Sequence, residues 1–261
     1  MTGDRASRSI PGGAELLEIA GISDIGPVRT QNQDVWAAEV SADGAGAVLA
    51  LADGMGGHKG GLESADAAIT GAMSVLSHVR EDADPAETLR RAVAAAGKCV
   101  AGVRDQIGGN PGTTLVLALV RGRHATVLNV GDSRGYLIHG AAVTQITEDH
   151  SWAAAQVRAG AMSAEEARHH QKRNLIERAV MGDPVEADLF EMDAAPGDVL
   201  LLCSDGLWEP LADSVLGAVL SSPDALGVAL TRACDAALAG GGTDNVTMVA
   251  NRWLPLASAN V

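Results

Sequence analysis

Residues 47–53 read Ala-Val-Leu-Ala-Leu-Ala-Asp, an apolar run that stops on a carboxylate and passes at once into Gly54, Met55, Gly56 and Gly57. A run with no polar alternation predicts a strand buried on both faces, although periodicity alone also allows a short buried helix. A strand covered on both sides needs a layer above it and a layer below. Two further strand-like runs precede it, Leu16 to Ile22 and Val35 to Val40, on either side of the turn-rich GISDIGPVRTQNQD.

The covering layer follows directly. Leu62, Ala65, Ile69, Met73, Leu76 and Val79 share one helical face, and Leu89, Val93, Ala96, Val100, Val103 and Ile107 share another. Asp84, Pro85 and Glu87 supply a cap, a first-turn proline and a capping-box partner, so the second helix starts there and the two form an antiparallel pair. Strands return as TTLVLALV, ATVLNV, GYLIH and AVTQI across the short turns RGRH, GDSR and HGA, which predicts a meander within one continuing sheet. From Ser151 to Met181 the chain becomes polar and helix-prone, with a capping box at Ser163 and Glu166, and reads as a surface insertion. Strand DVLLLCSD, helices around Val215–Leu220 and Pro223–Ala239, and strand NVTMVANRW complete the pattern. The expectation is an α+β layered domain with strands inside and helices outside, spanning 15–254 between a flexible N-terminus (1–14) and a C-terminal tail (255–261).

Aromatic residues are 2% of the chain, so Ala, Val, Leu and Gly must build the core and there is little surface on which bases could stack. The net charge of −14 opposes binding to nucleic acid or anionic lipid. An acidic protein can still handle phosphate through metal ions or a placed arginine. Cys99, Cys203 and Cys234 are scattered and lack C-x-x-C spacing, which suggests neither a disulfide framework nor a zinc site. No apolar run approaches the ~20 residues of a membrane-spanning helix, and the expected compartment is the cytoplasm.

An aspartate repeatedly marks a strand end: Asp53, Asp132 and Asp205 close apolar runs, and Asp244 precedes NVTMVA. Each alone is an ordinary turn residue. Together they can converge, and like charges held close repel unless cations lie between them. An all-aspartate set selects oxygen-loving ions, Mg²⁺ or Mn²⁺. Asp53 can bridge two of them, and the bare Gly54 carbonyl can approach a metal. Two such ions activate water and clamp an in-line displacement, so phosphoester hydrolysis is the reaction class that fits. Arg29 is the candidate fork for phosphate oxygens, against the alternative of a solvated loop arginine.

The ordered set RTQNQD, ADGMGGHKGG, GTT, VGDSRGYL, TEDHS, CSDGLWEPL and GGTDNVT resembles the PPM or PP2C family of metal-dependent protein serine/threonine phosphatases, from about Ile19 to Arg252. The resemblance implies an αββα sandwich of two mainly antiparallel sheets. It implies Asp53 as the bridging metal ligand, Gly54 on the second ion, and Asp205 and Asp244 on the first. Asp132 with Asp205 would hold a third ion, Asp34 would orient water, Arg29 would bind phosphate, and Asn245 would make local hydrogen bonds. Two positions depart from the family pattern: Gln33 stands where many members have Glu, and Met55 where eukaryotic members carry a histidine proposed as general acid. His58 reads as an exposed loop residue and His150 as a structural one. The insertion, about 151–181, corresponds to the family's flap, and its Arg168, His169, His170, Lys172 and Arg173 are either a solvated helix end or a guide for phosphorylated protein.

The partners implied are phosphorylated serine/threonine proteins and a bacterial kinase pathway, with a faint flap resemblance to members encoded with type VI secretion systems. A cysteine-based phosphatase is excluded, because the residues six after the cysteines are Asp105, Glu209 and Gly240 instead of Arg. Two alternatives remain: a non-catalytic phosphoprotein-binding adaptor, expected to have lost metal aspartates, and a phosphatase dedicated to an anti-sigma-factor antagonist.

Overall fold

In the computed structural model, which describes residues 5–12, 15–40, 46–55, 60–80 and 82–254, twelve strands and seven helices follow one another in blocks. The strands are β1 (Arg5–Gly12), β2 (Glu15–Asp24), β3 (Asp34–Val40), β4 (Gly46–Met55), β5 (Gly112–Thr113), β6 (Leu115–Arg121), β7 (His124–Val130), β8 (Arg134–His139), β9 (Ala142–Gln145), β10 (Asp188–Asp193), β11 (Val199–Cys203) and β12 (Val246–Leu254). The helices are α1 (Gly61–Leu76), α2 (Pro85–Ile107), α3 (Trp152–Arg158), α4 (Ala164–His169), α5 (Asp205–Trp208), α6 (Asp213–Leu220) and α7 (Leu226–Ala239). One antiparallel sheet runs β1-β2-β12-β11-β8-β9; the other runs β10-β7-β6-β4-β3, with β5 added beside β4.

The period of two along β4 builds the layers. Val48, Ala50 and Ala52 face α1 and α2, where they meet Ala65, Ala72, Leu89 and Ala96. Ala47, Leu49 and Leu51 point the other way into an inter-sheet core with Val116, Leu200, Val249 and Trp253. A third core lies between the sheet containing β11 and β12 and helices α5–α7, formed by Leu201, Met248, Leu230 and Ala233 among others. Helix, sheet, sheet and helix thus stack as an αββα sandwich, and residues 47–52 are buried on both faces as their composition requires.

Four expectations change. The meander does not stay in one sheet: β7 belongs to one and β8 to the other, and the chain crosses at Gly131–Ser133. A hairpin-length turn signals reversal but not the sheet in which the next strand pairs. Gly131 has φ +112°, and a Cβ there would stand 2.6 Å from Thr114 Cγ2, so only glycine makes this crossing without strain. The N-terminal segment read as a tail contains β1, which pairs with β2 from Arg5↔Ile22 to Gly12↔Glu15. Its sequence, with Arg5, Arg8 and three small residues among its first five, gives no apolar alternation, and an edge strand can be held by backbone bonds alone. Strand β10, unannounced by the sequence, extends the sheet beyond β7. The last long helix begins at Leu226 instead of Pro223, where the Leu226 N–H donates to Glu18 Oε1 at 2.7 Å.

Both N-caps form where expected, but only the second as a full capping box: among the described residues Glu87 makes no reciprocal bond to Asp84 N. The Asp84 side chain accepts from Ala86 N and Glu87 N, and Ser163 and Glu166 make a complete capping box. Among the described residues no helix is long and apolar enough to cross a membrane. The tail 255–261 and His58 lie outside the described residues.

Leu49 is fully buried between the sheets. Leu49→Ala should cost about 2–5 kcal/mol in urea unfolding, whereas Val228→Ala on the exposed face of α7 should stay within about 0.5 kcal/mol.

Candidate metal centre

The predicted carboxylates come from five separate segments and meet at one edge of the sandwich. Asp53, near the end of β4, is the direct cross-strand partner of Asp34 at the start of β3. Asp132 lies in the crossing between the sheets, Asp205 opens α5, and Asp244 stands two residues before β12. Asp34 and Asp132 are buried, while Asp53 and Asp205 are partly exposed.

Two chains of hydroxyls fix the backbone beneath these groups. The Asp53 N–H donates to Thr114 Oγ1 at 2.9 Å, and the Asp53 carbonyl accepts from Thr114 N at 2.9 Å and Thr113 Oγ1 at 2.8 Å. Thr114 Oγ1 lies 2.7 Å from Ser133 Oγ, which ties Asp53 to the residue after Asp132. On the other side Ser204 Oγ donates to Asp34 Oδ2 at 2.7 Å and accepts from Thr247 N at 3.1 Å. Thr247 Oγ1 meets Ser23 Oγ, which accepts from Asn32 Nδ2, each at 2.7 Å. The conformations at 53, 34 and 205 are therefore set by shared partners.

Gly54 packs its backbone against the Gly61 carbonyl, which a Cβ would approach to 2.2 Å, so no other residue fits without displacing main chain. Asn245 donates to the carbonyls of Ile25 (2.8 Å) and Gln31 (3.1 Å) and accepts from Gln33 N (2.9 Å). It thereby holds the loop that carries Arg29. Arg29 Nη2 donates to Asp244 Oδ2 at 2.5 Å, so the expected phosphate fork is spent in part on an expected metal ligand.

Burial drives the carboxyls upward, and their neighbours' charges add to it. Asp34 is pushed up to about 7, chiefly by burial and then by Asp244 against the hydrogen bonds from Ser204 and Thr247. Asp132 also rises to about 7, by burial and then Asp149. Asp53 is held well above the carboxylate range by burial, then by Asp34, Asp205, Asp132 and Asp244. Asp205 is raised in the same way, with Asp132, Asp244 and Glu209 as its first charged neighbours. Among the described residues no three such groups close into a ready-made metal cage. The donor chemistry nonetheless fits hard divalent cations: every group is a carboxylate, several are buried, and each raises the cost of ionising the next.

Glu209 was not among the residues singled out from the sequence. It lies four residues after Asp205, one turn along the short α5, and that spacing is the signal that could have found it. Its partner is Arg173 of the flap, Nε to Oε1 at 3.1 Å. The flap's other basic residues are also largely engaged: Lys172 Nζ lies 4.9 Å from the Trp152 ring centroid, and the His170 ring packs against the same indole. The side chain of His169 lies outside the described residues. Arg168 makes no ion pair among the described residues and lines a cavity of about 470 Å³ between flap and body, beside Trp208 and Arg134. The Arg134 guanidinium stacks 3.5 Å from the Trp208 ring centroid and grips Asp149 with two nitrogens, while Trp208 Nε1 donates to the Asp132 carbonyl at 3.1 Å.

The family model for protein phosphatase 2C matches residues 28–227. The chain belongs to the protein phosphatase 2C family. It is 37% identical over 239 residues to the serine/threonine protein phosphatase PstP of Mycobacterium tuberculosis, covering 90% of this chain and 44% of that protein. This chain thus spans less than half the length of that relative. It is 34% identical to the serine/threonine phosphatase stp of Listeria monocytogenes, over 87% of this chain and 92% of the other. A crystal structure of the PstP catalytic domain in complex with two manganese ions superposes with a TM-score of 0.80 at 36% identity, over 92% of this chain and 99% of that one.

The raised carboxyls give this 2C-family chain a pH signature. Asp34 and Asp132 keep their protons to about pH 7 when folded, and only to about 3.8 in an ordinary environment. Between these limits the folded state binds more protons than the unfolded one, so the stability of the chelator-treated protein should fall as pH rises from 4 to 7. Tm measured in chelator across this window should decline, and Asp132→Asn should flatten the slope. A Tm that climbs over the same range would contradict the assignment.

Proposed function

We propose that this chain hydrolyses phosphomonoesters on serine and threonine of protein substrates, at a centre formed by Asp53, Gly54, Asp205 and Asp244, with Asp132 and Asp205 for a third ion. The observation that carries the proposal is the convergence of these carboxylates on one edge, on backbone pinned by the Thr114–Ser133 and Ser204–Thr247 hydroxyls. Two Mn²⁺ or Mg²⁺ ions, when bound, supply a water made nucleophilic at neutral pH and neutralise phosphate charge.

The chain's own part is placement. Asp53, one strand from Asp34, presents two oxygens from a fixed backbone, as a bridging ligand needs. Asp34, its other face occupied by Ser204 Oγ, is restricted in rotation and suited to orient a water. The Arg29 guanidinium uses one donor on Asp244 and keeps others for phosphate oxygens. Water adds to phosphorus as the bond to the serine or threonine oxygen breaks, and that oxygen must gain a proton. Met55 cannot donate one, so the proton comes from water or from another group at the site.

The cytoplasm is the proposed compartment, supported by three free cysteines, and a bacterial serine/threonine kinase pathway is the proposed context. A link to type VI secretion belongs to the same proposal and is supported only by the flap sequence.

Hydrolysis of a small aryl phosphate should require Mn²⁺ or Mg²⁺, and Asp53→Ala and Asp205→Asn should each lower kcat/KM roughly a hundredfold or more. Metal-independent turnover, or full activity in Asp53→Ala, would overturn the mechanism. Phosphopeptide binding with no turnover under any metal would favour the adaptor. A second comparison isolates the flap: Arg168→Ala should raise KM for a phosphoprotein and leave the aryl phosphate unchanged, and equal effects on both would refute a guiding role.

A further inference from the structure

His150 is 4% exposed and makes no hydrogen bond to the expected metal ligands among the described residues, yet it grips the residue before one of them at two points. Its Nδ1 accepts from Gly131 N at 3.2 Å, and its backbone N–H donates to the Gly131 carbonyl at 2.9 Å. Gly131 is the left-handed crossing residue, and the next residue is Asp132. Asn129 Nδ2 adds a third hold, donating to the Gly131 carbonyl at 3.1 Å.

The far side of the ring is equally committed. Because Nδ1 accepts a hydrogen bond, the neutral ring carries its proton on Nε2, which donates to Asp188 Oδ2 at 3.1 Å and leaves Arg178 Nη1, 3.4 Å away, as a neighbour without a bond. Asp188 lies on β10, directly across from Asn129 on β7, and its other oxygen accepts from Arg178 Nη1 at 3.0 Å. The His150 carbonyl accepts from Glu177 N at 2.7 Å. The imidazole therefore ties Asp188 at the sheet edge to the peptide before Gly131, while the His150 backbone ties the end of the flap to the peptide that leads into Asp132.

We propose that His150 is a positioning residue for Asp132, and that its Nδ1 bond to Gly131 sets the affinity of the cation site shared by Asp132 and Asp205. The inference rests on the reading of Asp132 as a ligand. The bond matters because the two peptides flanking Gly131 turn about its φ and ψ unless both are held: Nδ1 holds the N–H of the peptide before Gly131, the His150 N–H and Asn129 hold the carbonyl of the peptide after it, and releasing the first frees φ and lets Asp132 swing. Losing such an outer partner of a metal ligand typically weakens metal binding by about 10- to 100-fold.

Two substitutions divide the ring's functions. His150→Asn places an amide oxygen close to the position of Nδ1 and keeps the bond to Gly131, while losing the reach to Asp188. His150→Gln reaches towards Asp188 and gives up Gly131. Mn²⁺ titrations followed by electron paramagnetic resonance count tight and weak sites without turnover, and Tm checks folding. We expect a weak class of site in the wild type that Asp132→Asn abolishes, that His150→Gln weakens by about tenfold or more, and that His150→Asn largely retains, with the tight sites unchanged throughout. A weak site intact in His150→Gln but lost in Asp132→Asn would overturn the positioning role alone, as would equal weakening in both histidine variants. Mn²⁺ binding unchanged in Asp132→Asn would overturn the ligand reading and the inference with it. Should His150→Gln fail to fold, the imidazole ¹⁵N spectrum of the wild type decides: a protonated Nδ1 is incompatible with the bond to Gly131, and an unprotonated one supports it.

Discussion

Carboxylates brought within one another's field repel, and burial makes each harder to ionise. Asp34, Asp53, Asp132, Asp205 and Asp244 are held together in spite of this, and most of the surrounding architecture is intelligible as what resists their separation. A side chain on a flexible loop would relieve the strain by moving away. Here Asp34 and Asp53 are locked as cross-strand partners, and Asp132, Asp205 and Asp244 each lie within three residues of a strand end. The strands in turn are fixed by cores on both faces, so relaxing the charges would require moving fully buried leucines and valines.

The two sheets contribute unequally. Asp34 and Asp53 belong to the sheet under α1 and α2, whereas Asp205 and Asp244 adjoin strands of the other. A site assembled from both depends on the register between them, and the hydroxyl contacts that fix it run across the gap: Ser204 to Asp34 on one side, Thr114 to Ser133 on the other. Small hydroxyl side chains suit this place, because they satisfy buried polar groups without adding a charge to a region already overloaded with it.

Much of this was legible in the chain because the relevant patterns are local. Residues 47–52 give their double burial directly, the α2 cap is written in Asp84-Pro85, and the strand-end aspartates are visible as repeated punctuation. Long-range choices were not legible. Nothing in GDSR distinguishes a hairpin within one sheet from a crossing to another, since both need a tight turn; the steric block by Thr114 on Gly131 exists only once β6 is beside it. Strand β1 lacks an apolar face, and its pairing depends on a neighbour whose edge would otherwise be open. The pairing of Glu209 with Arg173 and the bond from His150 to Gly131 escaped for a related reason. Their meaning comes from the partner, and the partner is remote in sequence.

Arg29 shows how a residue expected in one role can serve two. Its contact with Asp244 is half-exposed, with side chains 51% and 31% accessible, and ion pairs of that kind contribute only about 0–1 kcal/mol. So weak a contact cannot hold the loop by itself, and it does not need to, because Asn245 fastens the same loop through two carbonyls and an amide. The guanidinium is then free to be shared. A planar fork with five donors can keep one on Asp244 and turn the rest to an anion arriving from the open side, and it can also release Asp244 at little cost. Anchoring the loop by a neutral asparagine, and leaving the charged arginine loosely committed, separates the structural task from the chemical one at the point where a phosphate would enter.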